Sequence, residues 1–182
     1  MNGARLYDVF TSNSLLKKNF RGIVRFRDIC KHQIYGQWSV GDFLIINLKN
    51  AHWLSLLWTK ADSLILFDTL GGLLTFNKKV MKMKLVRCFG VKNVQFQYAS
   101  KHGLQKKGSL TCAEHIIYYA LFQNMFYLEN GFFEAEYVDK FERYCRKRKI
   151  DPDKFVWNEI YVNLKLTDPP DLKKVLSWYS EE

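Results

Sequence analysis

Proline is scarce. The chain of 182 residues has three, at Pro152 and at the adjacent pair Pro169 and Pro170. There is no tract rich in Pro, Gly or Ser, no low-complexity segment and no internal repeat. Nothing therefore marks an interdomain linker or a repeat array, and one domain over residues 1–182 is the simplest reading. Long hydrophobic runs are missing too. The longest, Phe43 to Leu48 and Trp53 to Trp58, are strand-sized and far short of the roughly 20 apolar residues of a transmembrane helix. Met1 to Arg5 lead into no apolar run of secretory length. These absences predict a soluble, non-secreted protein made in a reducing compartment, with no membrane partner. Cysteine is sparse as well: Cys30, Cys88, Cys112 and Cys145, with no C-x-x-C pair. A disulfide framework is not expected, and the question becomes whether one thiol is reactive. Cys112 and His115 make a C-x-x-H pair, but no second pair with ligand spacing exists, so no metal site is expected.

Acidic residues are in deficit: 18 Asp and Glu stand against 28 Lys and Arg, for a net charge of +10 and a sequence pI of about 9.4. Such a surplus suits nucleic acid, acidic protein tails or anionic lipid, and equally a plain basic protein without such a partner. The basic residues fall in short groups: Lys17 to Arg27, Lys78 to Arg87, Lys101 to Lys107 and Arg143 to Lys149. Phe20, Phe26, Phe89 and Tyr144 lie among or beside them. Lys106, Lys107, Arg146, Lys147 and Arg148 are the candidate nucleic-acid contacts. The same interleaving also occurs on any solvated amphipathic helix.

What is abundant is apolar: 48% hydrophobic and 16% aromatic residues, enough for a sizeable core. Leu6 to Phe20 has the spacing of one or two short helices. Asp42 to Leu48, Trp53 to Trp58 and Leu64 to Phe67 read as strands, with a turn at Asn50-Ala51, a hairpin over Lys60 to Ser63 and a break at Gly71-Gly72. Asn77 to Phe89 reads as a basic helix, and Val94 to Tyr98 as a fourth strand. Thr111 to Tyr127 is helical and almost entirely apolar, as in a buried central helix. Further helices are predicted near Glu134 to Lys149, Phe155 to Leu164 and Asp171 to Tyr179. Strands clustered between helices, joined by short turns, predict an α+β fold: a mostly antiparallel sheet packed on a buried helix.

Cys112 opens that helix after the loop Gly108-Ser109-Leu110-Thr111, with Thr111 placed as N-cap. The positive end of the helix dipole stabilises a thiolate there, although a buried, inert cysteine fits the position as well. His52 stands just before one predicted strand and Asp68 ends the next. If those strands are antiparallel neighbours, imidazole and carboxylate meet at one sheet edge, where the carboxylate fixes the tautomer and favours the imidazolium. Alone, Asp68 is an ordinary turn residue. Gln105, in the loop before Cys112, is a candidate oxyanion donor together with the Cys112 N–H.

The ordered set is similar to a known family. His52-Trp53-Leu54-Ser55-Leu56-Leu57-Trp58 resembles the His-Trp strand of the adenovirus endopeptidase (adenain) family. Leu66-Phe67-Asp68-Thr69-Leu70-Gly71 resembles its Phe-Glu/Asp-x-x-Gly segment, and Gln105 through Cys112 resembles its Gln-to-Cys loop at the same separation. The order His, Asp, Gln, Cys is that of the wider ubiquitin-like-protein peptidase superfamily. The likeness runs from about Gly41 to Phe122. It departs at Ala113, where the family has Gly, and at Asp68, where adenoviral enzymes have Glu.

The resemblance implies a circularly permuted papain-like fold and a viral, virophage or polinton-like maturation protease with Cys112, His52, Asp68 and Gln105 as catalytic groups. It implies capsid and core precursors as substrates, with cleavage next to small residues, often Gly. It also implies DNA as activator and track, action in the virion and the host cell interior (nucleus or cytoplasmic virus factory), and a monomer. Some members are activated by a peptide through a disulfide. Val91 to Thr111 holds no cysteine for such a link, and Cys88 is the nearest. Two rival readings share the fold: a peptidase removing ubiquitin-like modifiers, and a catalytically inactive DNA-binding scaffold, which Ala113 keeps open.

Overall fold

The computed structural model describes residues 1–30, 38–48, 52–70, 78–98, 104–105, 109–164 and 171–181. Two short helices, α1 (Gly3–Ser12) and α2 (Ser14–Lys17), lead into β1 (Phe20–Arg25). Asn13 separates them: its side-chain oxygen accepts from the Leu15 and Leu16 amides, so it ends one helix by capping the next. Then come β2 (Phe43–Asn47), β3 (Trp53–Lys60), β4 (Ser63–Asp68), α3 (Lys78–Phe89) and β5 (Asn93–Tyr98). From Cys112 onward the described elements are helical: α4 (Cys112–Asn130), α5 (Tyr137–Arg148), α6 (Pro152–Asn158) continuing into a π-helical turn (Glu159–Asn163), and α7 (Leu172–Leu176). The turns expected at Asn50-Ala51 and Gly71-Gly72 lie outside the described residues.

The fold is α+β, with a five-stranded sheet in the order β1-β2-β3-β4-β5. The sheet differs from the mostly antiparallel one expected. Both inner partnerships of β3 are antiparallel, but β1 runs parallel to β2 and β4 parallel to β5. The parallel outer pairs follow from their long connections: α3 carries the chain from the end of β4 back to the start of β5. β1 was not foreseen as a strand. Its register slips between Phe20 and Gly22, and Gly22 has φ of 115°, a conformation that favours glycine. That irregularity, in a basic stretch, hides the alternation that identifies a strand.

Strands β2 to β4 are buried on both faces, which is why they read as continuous apolar runs. Phe43, Ile45, Trp53, Leu57 and Phe67 enter one core with α4 and the terminal helices. Leu44, Ile46, Leu54, Leu56, Trp58, Leu64 and Leu66 enter a second core closed by Met81 and Leu85 of α3. Helix α4 spans about 28 Å at 1.5 Å per residue. Tyr118, Tyr119 and Phe122 on it are fully buried, and the Phe122 ring alone contributes about 1.5–3 kcal/mol in burial. Gly131, with φ of 77°, ends the helix and donates its N–H to the Tyr127 carbonyl at 2.8 Å.

Cys30 and Cys88 are joined in a disulfide, their Cα atoms 5.0 Å apart. This corrects the expectation that no disulfide would form. The pair is 58 residues apart, and only the packing of α3 under the second core brings the two together. Among the described residues, no helix is long and apolar enough to cross a membrane.

Candidate active site

The register Ser55↔Phe67 sets the start of β3 against the end of β4. His52, just ahead of β3, is fixed by its carbonyl, which accepts the Leu48 N–H at 2.8 Å. Its Nε2 lies 2.8 Å from Asp68 Oδ1. Asp68 is fully buried, and the same oxygen accepts the Leu70 N–H at 3.0 Å. Its other oxygen has no hydrogen-bond partner among the described residues. The carboxylate is therefore held from two sides and presents one oxygen to the imidazole.

The same imidazole hydrogen-bonds Cys112, the first residue of α4 and only 5% exposed. Since Nε2 is engaged by Asp68, Nδ1 is the nitrogen left for the sulfur. Burial by itself lowers the His52 pKa. The hydrogen bonds and negative charges of Asp68 and Cys112 outweigh it and lift the ring from its ordinary 6.5 to about 9. The imidazolium is thus the favoured form at neutral pH. On the next strand, Tyr98 is in register with Asp68. Burial, with the Asp68 charge adding to it, pushes the Tyr98 phenol up to about 12, so that it stays neutral beside the carboxylate.

Gln105 is also buried, and its amide is fixed at both ends. Thr69 Oγ1 donates to Gln105 Oε1 at 2.7 Å, and Gln105 Nε2 donates to the Ser109 carbonyl. Its backbone N–H donates to the Thr69 carbonyl at 3.2 Å. The loop before the nucleophile is thereby tied to the residue that follows Asp68.

Thr111 occupies the N-cap position of α4, but its side chain makes no capping bond. It is drawn instead to α6: Thr111 Oγ1 donates to Asp153 Oδ1, which also lies 2.9 Å from His115 Nε2. The Ser109 hydroxyl joins this cluster at 2.7 Å from Thr111 Oγ1. The histidine of the C-x-x-H pair is thus committed to a carboxylate. Among the described residues no group of three or more His, Cys, Asp and Glu side chains is placed to hold a metal ion. Ala113 is fully buried in the first turn of α4.

The structure thus brings His52, Asp68 and Cys112 into one hydrogen-bonded chain and ties Gln105 to the loop beside it. Of the candidate nucleic-acid contacts, Arg146, Lys147 and Arg148 are exposed on the last turn of α5. Lys106 and Lys107 lie outside the described residues. Asp153, five residues past Arg148, bonds Thr111, so the basic turn lies at the nucleophile's end of α4. Thr69, Ser109, Asp153 and Tyr98 were not anticipated as parts of this site. Thr69 alone carried a signal, its place directly after Asp68.

No protein-family model matches the chain, and no curated protein matches it. Among solved structures it is similar to the central domain of the uncharacterized Lpg1148 protein from Legionella pneumophila. That likeness has 13% identity over 76% of this chain and 88% of that chain, with a TM-score of 0.37. It is too loose to carry an argument about function. In its own terms the chain is an α+β protein in which the ends of two inner strands and the start of a helix place a carboxylate, an imidazole and a thiol side by side.

Proposed function

We propose that this chain is a cysteine endopeptidase of the adenovirus-endopeptidase type, one that cleaves capsid and core precursor polypeptides during virion maturation. The observation that carries this reading is the single imidazole held between Asp68 and Cys112, with a pKa near 9. A ring so held keeps its proton at neutral pH, and an imidazolium is the partner a thiolate needs. The thiolate attacks the scissile carbonyl carbon, forming a C–S bond and an oxyanion. The Cys112 N–H and the Gln105 amide are the donors for that oxyanion. His52 passes its proton to the leaving amine as the C–N bond breaks. It then takes a proton from water as the water oxygen attacks the thioester carbon; the C–S bond breaks, the acid is released and the thiolate–imidazolium pair is restored.

The wild-type protein is expected to hydrolyse a quenched-fluorescence peptide with Gly before the scissile bond, and Cys112→Ala to show only background. Equal or better turnover of a fluorogenic substrate derived from a ubiquitin-like modifier would point to modifier removal instead. No turnover of either, with no labelling of Cys112 by dilute iodoacetamide near neutral pH, would leave the inactive scaffold.

DNA is proposed as activator, held without sequence preference at a basic surface that includes Arg146, Lys147 and Arg148. A protein neutralising about six phosphates loses on the order of 10³-fold in affinity between 50 and 200 mM salt. Replacing those three residues by Ala should reduce the salt slope by roughly 2 to 3 and leave Cys112 alkylation unchanged. No binding to random-sequence DNA at low salt would remove DNA from the proposal.

A further inference from the structure

We propose that Thr69 is a positioning residue for Gln105: its hydroxyl, by donating to Oε1, locks the side-chain amide in the orientation that the Ser109 carbonyl selects. The inference rests on the peptidase reading above for its catalytic consequence, but the positioning itself stands on hydrogen-bond chemistry alone.

An amide can be turned over without changing its shape, so its orientation must come from its partners. The Ser109 carbonyl can only accept, so the Gln105 atom facing it must be the NH₂ nitrogen. The oxygen then points to Thr69 Oγ1, 2.7 Å away, and that hydroxyl must donate. Both side chains are buried, Thr69 completely, so water is poorly placed to replace either bond. The Thr69 carbonyl also accepts the Gln105 backbone N–H at 3.2 Å, which makes a two-point clamp on one residue. The NH₂ group spends one hydrogen on Ser109 and keeps the other. That second hydrogen is what an oxyanion can use, provided the amide does not rotate.

Thr69→Val keeps the shape and removes the donor; Thr69→Ser keeps the donor. For Thr69→Val, kcat on the Gly-containing peptide should fall about 10- to 100-fold, less than the 10²- to 10³-fold loss of an oxyanion donor itself, with KM within twofold. Thr69→Ser should stay within about threefold of wild type. Iodoacetamide alkylation of Cys112 should be unchanged in both, because displacement at a saturated carbon develops no oxyanion. In a Gln105→Ala background, Thr69→Val should add nothing, since the two act as one unit. Additive losses, or a parallel fall in alkylation, would overturn the proposal. So would a Thr69→Val enzyme with wild-type kcat.

A readout without catalysis separates this inference from the peptidase reading. In ¹⁵N NMR, the Gln105 side-chain amide is assigned by its absence in Gln105→Ala. Its Ser109-bonded hydrogen should exchange slowly in wild type and Thr69→Ser, and at least tenfold faster in Thr69→Val. If the wild-type protein hydrolyses no peptide yet shows this pattern, the peptidase reading fails and the positioning role stands. If exchange is the same in wild type and Thr69→Val, the positioning role is wrong whatever the activity.

Discussion

Asp68→Asn is nearly isosteric and removes the buried charge that holds the His52 proton. In the folded protein the ring titrates at about 9 instead of 6.5, a preference for the charged form of roughly 3 kcal/mol at about 1.4 kcal/mol per pH unit. Burial works against this rise. The hydrogen bond to Asp68 is the largest of the contributions that favour it, ahead of the hydrogen bond to Cys112. With the carboxylate gone, burial and the Cys112 contact remain, and the ring should titrate at least one pH unit lower. The sign for stability follows from the same numbers. The pKa is raised on folding, so the interaction contributes fully below about pH 6.5 and is lost as pH rises through about 9. Asp68→Asn should therefore lose more stability at pH 6 than at pH 10. The assay is the titration of the His52 ring proton by NMR, paired with Cys112 alkylation and peptide turnover across pH. The alkaline limb of turnover, where the imidazolium is lost, should move toward neutrality by the same amount as the NMR value. A His52 pKa within about 0.3 of wild type in Asp68→Asn would refute the reasoning, because the carboxylate would not then be what holds the proton.

Cys112→Ala should abolish hydrolysis without unfolding the chain, and Cys145→Ser should keep most activity. Burial, with Asp151 and Glu142 adding negative charge, pushes the Cys145 thiol up to about 12, so mass spectrometry after mild alkylation should find Cys112 labelled before Cys145. Asp153→Ala leaves the buried His115 ring without its carboxylate and Thr111 with only the Ser109 hydroxyl, and should cost about 2–3 kcal/mol in urea unfolding; a change below about 0.5 kcal/mol would show that the cluster is not structural. Changing both Cys30 and Cys88 to Ser opens a loop of 58 residues' separation and should lower stability by up to about 4 kcal/mol in the chain-entropy estimate, with Cys112 alkylation at neutral pH unaffected.

Elements whose signal is local are legible in the order of residues alone. The apolar runs of β2, β3 and β4 announce strands buried on both sides. The unbroken apolar stretch after Thr111 announces α4. The placement of His52 before one strand and Asp68 at the end of the next is enough to bring them together once antiparallel pairing is assumed, and the hydrogen bond between them follows from that register. Whatever depends on contacts distant in the chain emerges only when the elements pack. β1 is basic and irregular at Gly22, and becomes a strand by pairing with β2. The outer strands run parallel because long connections return the chain to the same end of the sheet. Cys30 meets Cys88 because α3 packs under the second core. Thr111 points to Asp153 instead of capping its own helix because α6 lies beside it. Hydrophobic period reports which face of an element is buried, but carries no record of which element covers it. The hydroxyl, carbonyl and carboxylate partners that orient Gln105 and His115 are therefore set by packing, and packing is absent from any short window of sequence.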